Sequence, residues 1–120
     1  MSDYAVEVTS DGPRTIVAMK GDLDLASAPI LEKVLEEIDA SEDHPELLIM
    51  DLRNLEFMDS TGLRIILSAD TAARKNGRRF QLVEGPEAVH RVFRLTLMDQ
   101  RLDFVSDIDD SDSENDRGRD

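Results

Sequence analysis

A chain of 120 residues with net charge −13, 40% hydrophobic residues and no Cys has room for one core-bearing domain and not for two. The absent Cys excludes disulfides, Cys-ligated zinc and thiol chemistry, while the negative charge disfavours nucleic acid and anionic membrane surfaces as partners. No apolar run approaches the roughly 20 residues of a membrane span, and Met1-Ser2-Asp3-Tyr4 lacks the basic and apolar regions of a secretory leader, so a cytoplasmic protein is expected.

Aromatic residues make up 4% of the chain, with no Trp, so the core must be aliphatic. Tyr4 to Thr9 alternates as a strand, Asp11-Gly12-Pro13 signals a turn, and Thr15 to Met19 resumes as a second strand. Gly21-Asp22-Leu23-Asp24 then ends the extended run. Ser27 is a good helix N-cap with Ala28 and Pro29 in the first turn, where a missing N–H costs nothing. Ile30, Leu31, Val34, Leu35 and Ile38 recur at helical spacing to about Asp39, with Glu32, Lys33, Glu36 and Glu37 on the opposite side. Leu47-Leu48-Ile49-Met50-Asp51-Leu52 reads as a central strand covered on both sides, and Arg53 to Met58 as an irregular connector. A second helix starts at Ser60 or Thr61, carries Leu63, Ile66, Leu67, Ala69 and Ala73, and stops at Asn76-Gly77 behind Arg74 and Lys75. Phe80 to Val83 is a further strand. Gly85-Pro86 opens a third helix whose buried side is Val89, Val92 and Phe93, and Leu102 to Val105 supplies a last strand. The order β-β-α-β-α-β-α-β predicts an α/β domain over residues 1–105, with a mixed sheet of four to five strands packed with amphipathic helices.

Residues 106–120 hold seven acids and two bases, one aliphatic side chain, and no means of building a core, so a disordered acidic tail is expected there. The spacing of Asp107, Asp109 and Asp112 hints at a calcium loop, but the Gly and distal Glu of such a loop are missing.

The segment with the most chemistry follows the central strand. Ser60 has the right side chain to cap the second helix, which puts its hydroxyl near the surface beside unpaired backbone N–H groups. A phosphate there would add about −1.5 to −2 charges at the positive end of the helix dipole. On local chemistry alone, Ser60 reads as a capped helix start, since most serines before helices are caps and nothing more. Phe57-Met58-Asp59-Ser60-Thr61-Gly62-Leu63 resembles the signature of the STAS domain of bacterial anti-sigma-factor antagonists. Gly21-Asp22-Leu23-Asp24 resembles the family's Gly-Glu-Leu-Asp element, Leu48 to Leu52 its central strand, and Arg91-Val92-Phe93 its third helix.

The resemblance covers about residues 4–105 and implies a function. In such proteins the unmodified form binds an anti-sigma factor that is also a serine kinase, and so frees a sigma factor. The kinase phosphorylates the Ser after the motif Asp, here Ser60, which ends binding, and a PP2C-type phosphatase resets it. The resemblance implies no cofactor and no catalytic residue in this chain. Around Ser60 it implies partner contacts at Asp24, Asp59, Thr61, Gly62 and Arg64; Thr61 is the neighbouring hydroxyl that could be mistaken for the acceptor, and the other four also have a plain structural reading. Asp24 could be a turn acid, and Asp59 could hold its loop through backbone hydrogen bonds. Gly62 could relieve crowding, and Arg64 could be a solvated helix residue. A soluble STAS subunit of a membrane transport system and a nucleotide-binding STAS protein are the competing functions. Against the latter, no Gly-x-x-x-x-Gly-Lys-Ser/Thr loop is present. One departure stands out: Thr96-Leu97-Met98 replaces the Ser-Gly-Leu-like turn of many relatives, removing an easy left-handed helix stop.

Overall fold

A computed structural model describes residues 3–41 and 44–109. Strands β1 (Ala5–Asp11), β2 (Arg14–Leu23), β3 (Leu47–Met58), β4 (Arg79–Val83) and β5 (Phe104–Val105) alternate with helices α1 (Ala28–Ala40), α2 (Ser60–Lys75) and α3 (Glu87–Leu95) in the order expected. The five strands lie side by side in sequence order. β1 is antiparallel to β2, and every other pair is parallel, so the sheet is mixed as the element order implied. Most of the acidic tail, residues 110–120, lies outside the described residues.

Alternation along the central strand splits the core in two. Leu48, Met50 and Leu52 join Leu31, Ile66, Val89 and Phe93 of the helices in the main cluster. Leu47 and Ile49 face the other way, with Val83 and Val105, in a cluster that contains no helix residue. The apolar run Leu47 to Leu52 is buried throughout, as a strand covered on both faces must be.

Two expectations need correction. Gly21-Asp22-Leu23-Asp24 does end the extended run, at Leu23, but Arg53 to Met58 is not an irregular connector: β3 continues to Met58 alongside the end of β2, paired as Lys20 with Asn54, Gly21 with Leu55, Asp22 with Phe57 and Leu23 with Met58. Register shifts after Ala18 and after Gly21 add residues to the ladder and break the alternation by which a strand is recognised. Gly21 makes this possible with φ +86, in a position where a Cβ would stand 2.1 Å from the Asp3 carbonyl oxygen. The paired ends of β2 and β3 project beyond β4, which pairs with β3 only as far as Asp51, and carry the start of α2 out with them. The second correction is Ile30, which is exposed rather than part of the buried stripe of α1.

The end of α3 answers the Thr96-Leu97-Met98 departure. A left-handed residue still stops the helix, but it is Leu97, at φ 63 and ψ 14, with its side chain 61% exposed. Its N–H bonds the Arg94 carbonyl at 3.0 Å, while the Thr96 hydroxyl donates to the Val92 carbonyl at 2.7 Å. A left-handed non-glycine residue costs roughly 1–2 kcal/mol, and here little burial offsets it. Leu97→Gly should therefore raise stability by about 1 kcal/mol and the melting temperature by about 4 °C or more, read by thermal denaturation.

Candidate functional site

The site is built where the long β2–β3 pair delivers two loops to one edge. Asp59 N–H bonds the Leu23 carbonyl at 3.2 Å, so the turn after β3 is fastened to the turn after β2. Gly62 completes the junction: a Cβ there would lie 2.7 Å from Met58 Cγ and 2.9 Å from Leu23 Cγ and Cδ2. The glycine lets the first turn of α2 sit directly on the buried ends of both strands.

Ser60 is not the cap expected from its side chain. Asp59 is the N-cap in extended conformation, and its Oδ1 accepts from the N–H groups of Thr61 at 2.9 Å and Gly62 at 3.2 Å. Asp and Ser cap about equally well, and the sequence offers both in a row; helical φ and ψ begin at Ser60, one residue earlier than a Ser cap would require. Ser60 is thus the first helical residue, exposed, and its hydroxyl makes no hydrogen bond among the described residues. Asp59→Ala should cost about 1 kcal/mol of stability by stripping the cap, and Asp59→Asn much less, measured by chemical denaturation.

Asp24 has an equally definite structural task. Its Oδ1 accepts from the N–H groups of Ala26 and Ser27, both at 3.1 Å, and from the Ser27 hydroxyl at 3.2 Å. The Ser27 hydroxyl also donates to the Asp22 carbonyl at 2.8 Å. Ser27 is the N-cap residue of α1, but its side chain ties the loop rather than capping the helix. Asp24 and Ser27 therefore hold the β2–α1 turn rigid beside Asp59. Thr61 is half-buried and Gly62 buried, while Arg64 is exposed one helical turn beyond Ser60, on the same side of α2.

Sequence reasoning gave no role to the Leu25 and Phe57 side chains at this end of the sheet, and it put Ile30 on the buried stripe of α1. Leu25 in the β2–α1 turn is 74% exposed, and Phe57 near the end of β3 and Ile30 in the first turn of α1 are each 48% exposed. A second Leu in the turn sequence Asp22-Leu23-Asp24-Leu25-Ala26-Ser27, and one of four Phe residues placed just before Met58-Asp59, were the available signals. Among the described residues no group of three or more His, Asp or Glu could hold a metal ion, and no helix is long and apolar enough to cross a membrane. The arrangement is a solvent-facing platform: one uncommitted hydroxyl at the start of α2, at the same end of the sheet as exposed Leu25 and Phe57.

A family model described as the STAS domain matches residues 4–111. The chain is similar to the anti-sigma-B factor antagonist of Staphylococcus aureus, with 28% identity over 91 residues that cover 76% of this chain and 82% of that one. It is also similar to the anti-sigma-F factor antagonist RsfB of Mycobacterium tuberculosis, 28% identical over 106 residues covering 88% and 84%. The crystal structure of an anti-sigma factor antagonist from Mycobacterium paratuberculosis matches with a TM-score of 0.82 and 26% identity over 93% of both chains.

Proposed function

The chain belongs to the STAS domain family, and from that membership we propose that it is an anti-sigma-factor antagonist switched by phosphorylation of Ser60. Unmodified, it binds an anti-sigma factor that is also a serine kinase, and the bound sigma factor is released. The kinase moves the γ-phosphoryl group of ATP to the Ser60 oxygen, the hydroxyl proton leaves, and the modified chain lets go. A PP2C-type phosphatase returns the serine by hydrolysis. The catalytic groups belong to the partners, and this chain is their substrate.

The observation that carries the reading is the division of labour between Asp59 and Ser60. Because the carboxylate caps α2, the hydroxyl is free to be modified without undoing the helix start. A phosphate on the first helical residue sits where the helix dipole favours negative charge, within one turn of the Arg64 guanidinium. The fold therefore survives modification, and the change is felt by whatever packs on Leu25 and Phe57, which must then accept a hydrated dianion at the contact. The names of the relatives supply the partner class, since each is an antagonist of an anti-sigma factor.

The test is to incubate the chain with ATP and each candidate serine kinase of its host, then map phosphate by mass spectrometry. One phosphate on Ser60, and none on the Ser60→Ala chain, is the expected result. Phosphate on Thr61 instead, or none from any kinase, contradicts the reading.

A further inference from the structure

Three helices share one face of the sheet; the other face carries the second apolar cluster, Leu47, Ile49, Val83 and Val105, with Ile16 and Ile108 packed against it. No helix residue belongs to that cluster, yet Ile49 and Val83 are fully buried. After Val105 the described chain leaves β5 and turns back over this face. The Ile108 side chain packs on the cluster, and its carbonyl accepts from Arg14 Nη1 of β2 at 3.2 Å. Asp107 lies 4.0 Å from Arg53 Nη1 of β3. Arg53 is aimed by Asp51, whose carboxylate takes its Nε at 3.0 Å and its Nη2 at 2.9 Å. The segment Ser106–Asp109 thus crosses from β5 to β2 along an aliphatic strip, with a basic side chain from each of two strands reaching its backbone or its acid.

The cover is imperfect in one respect. Gln81, 2% exposed on this face beside Ile49, donates its Nε2 to Asp103 at 2.9 Å, but its Oε1 is buried without a partner. An unpaired buried acceptor costs about 1–3 kcal/mol and marks a surface that can still take a donor. β5 itself is two residues long, fastened to β4 by Leu82 N–H to the Asp103 carbonyl at 3.0 Å and Glu84 N–H to the Val105 carbonyl at 3.2 Å. So short a strand has little cohesion of its own.

We infer that the helix-free face is a docking groove for an extended acidic–aliphatic segment, occupied in cis by the chain's own Ser106–Asp109, and that this occupant latches β5 to the sheet. The groove recognises an aliphatic side chain on the Ile49–Val83 strip, a carboxylate opposite Arg53 and a backbone carbonyl at Arg14. It is separate from the Ser60 platform and does not depend on the phosphoswitch.

The test is amide hydrogen exchange on the full chain. Ile108→Asp should speed exchange at Leu82 and Glu84 by about tenfold or more, while β2–β3 amides such as Val17 and Met50 keep wild-type rates. Ile108→Val should stay within a few-fold of wild type. A peptide spanning residues 103–110, at millimolar concentration, should restore slow exchange to the Ile108→Asp chain, and the same peptide carrying Ile108→Asp should not. Unchanged exchange at Leu82 and Glu84, or an equal rise across β2 and β3, would overturn the latch. Failure of the wild-type peptide to restore protection would overturn the docking groove.

Discussion

Ser60→Glu should weaken binding to the anti-sigma factor by about 100-fold, while Ser60→Ala should bind like the unmodified chain. The difference rests on the surroundings of the hydroxyl. Ser60 is exposed at the first position of α2, at the same end of the sheet as exposed Leu25 and Phe57, and its hydroxyl makes no hydrogen bond among the described residues. Removing the hydroxyl therefore breaks no hydrogen bond and removes no cap. Adding a carboxylate brings a hydrated charge into a contact centred on apolar side chains. Desolvation and like-charge juxtaposition cost several kcal/mol at an interface, and about 3 kcal/mol corresponds to roughly 100-fold in affinity. Titration calorimetry against the anti-sigma factor reads both variants, and circular dichroism should find both folded as the wild type. Equal affinity of Ser60→Glu and wild type would remove the physical basis of the switch.

Gly62→Val should lower stability by about 3 kcal/mol, a large share of the roughly 5–15 kcal/mol available to a domain. A Cβ at Gly62 would meet Met58 Cγ at 2.7 Å and Leu23 Cγ and Cδ2 at 2.9 Å, closer than side-chain carbons pack. Both neighbours are buried at the ends of their strands and have nowhere to retreat. A single added methyl is partly offset by the helix propensity that Ala gains over Gly, about 1 kcal/mol. Gly62→Ala should accordingly cost only about 1–2 kcal/mol of overpacking. Valine adds two further carbons and a rigid χ1, and the first turn of α2 must lift from the sheet. Chemical denaturation measures the loss, and the lift should also displace Ser60, so partner binding falls in the fraction that still folds. A Gly62→Val chain as stable as wild type would contradict the close seating of α2 on β2 and β3.

How much of this was legible beforehand depended on whether the deciding physics was local. The run Leu47 to Leu52, apolar but for Asp51, the helical spacing in α1 and the stop at Asn76-Gly77 are local signals, and each element stands where they put it. The second half of β3 was hidden because its pairing with β2 is shifted twice, which scrambles the alternation that reveals a strand. Ile30 fits the helical spacing of its neighbours, but at the open end of the domain no strand or helix covers it. At the site, the sequence marked Asp59-Ser60-Thr61-Gly62 as the critical turn. It could not tell which of two good caps would serve, and the answer sets the chemistry: the aspartate caps and the serine stays free. Asp24 proved to be a loop-holding acid, which leaves its structural role established and any partner contact to its remaining carboxylate oxygen. The helix-free face could not be read at all, since Arg14 and Ile108 are 94 residues apart.

The central claim is that one hydroxyl decides whether this chain can displace a sigma factor from its inhibitor. The most direct measurement is a release assay on the preformed complex of sigma factor and anti-sigma factor, without ATP, using the unmodified chain and the chain stoichiometrically phosphorylated on Ser60. The unmodified chain should release the sigma factor in proportion to its concentration, and the phosphorylated chain should release none over the same range until a PP2C-type phosphatase restores it. Equal release by both forms, or by neither, would contradict the account.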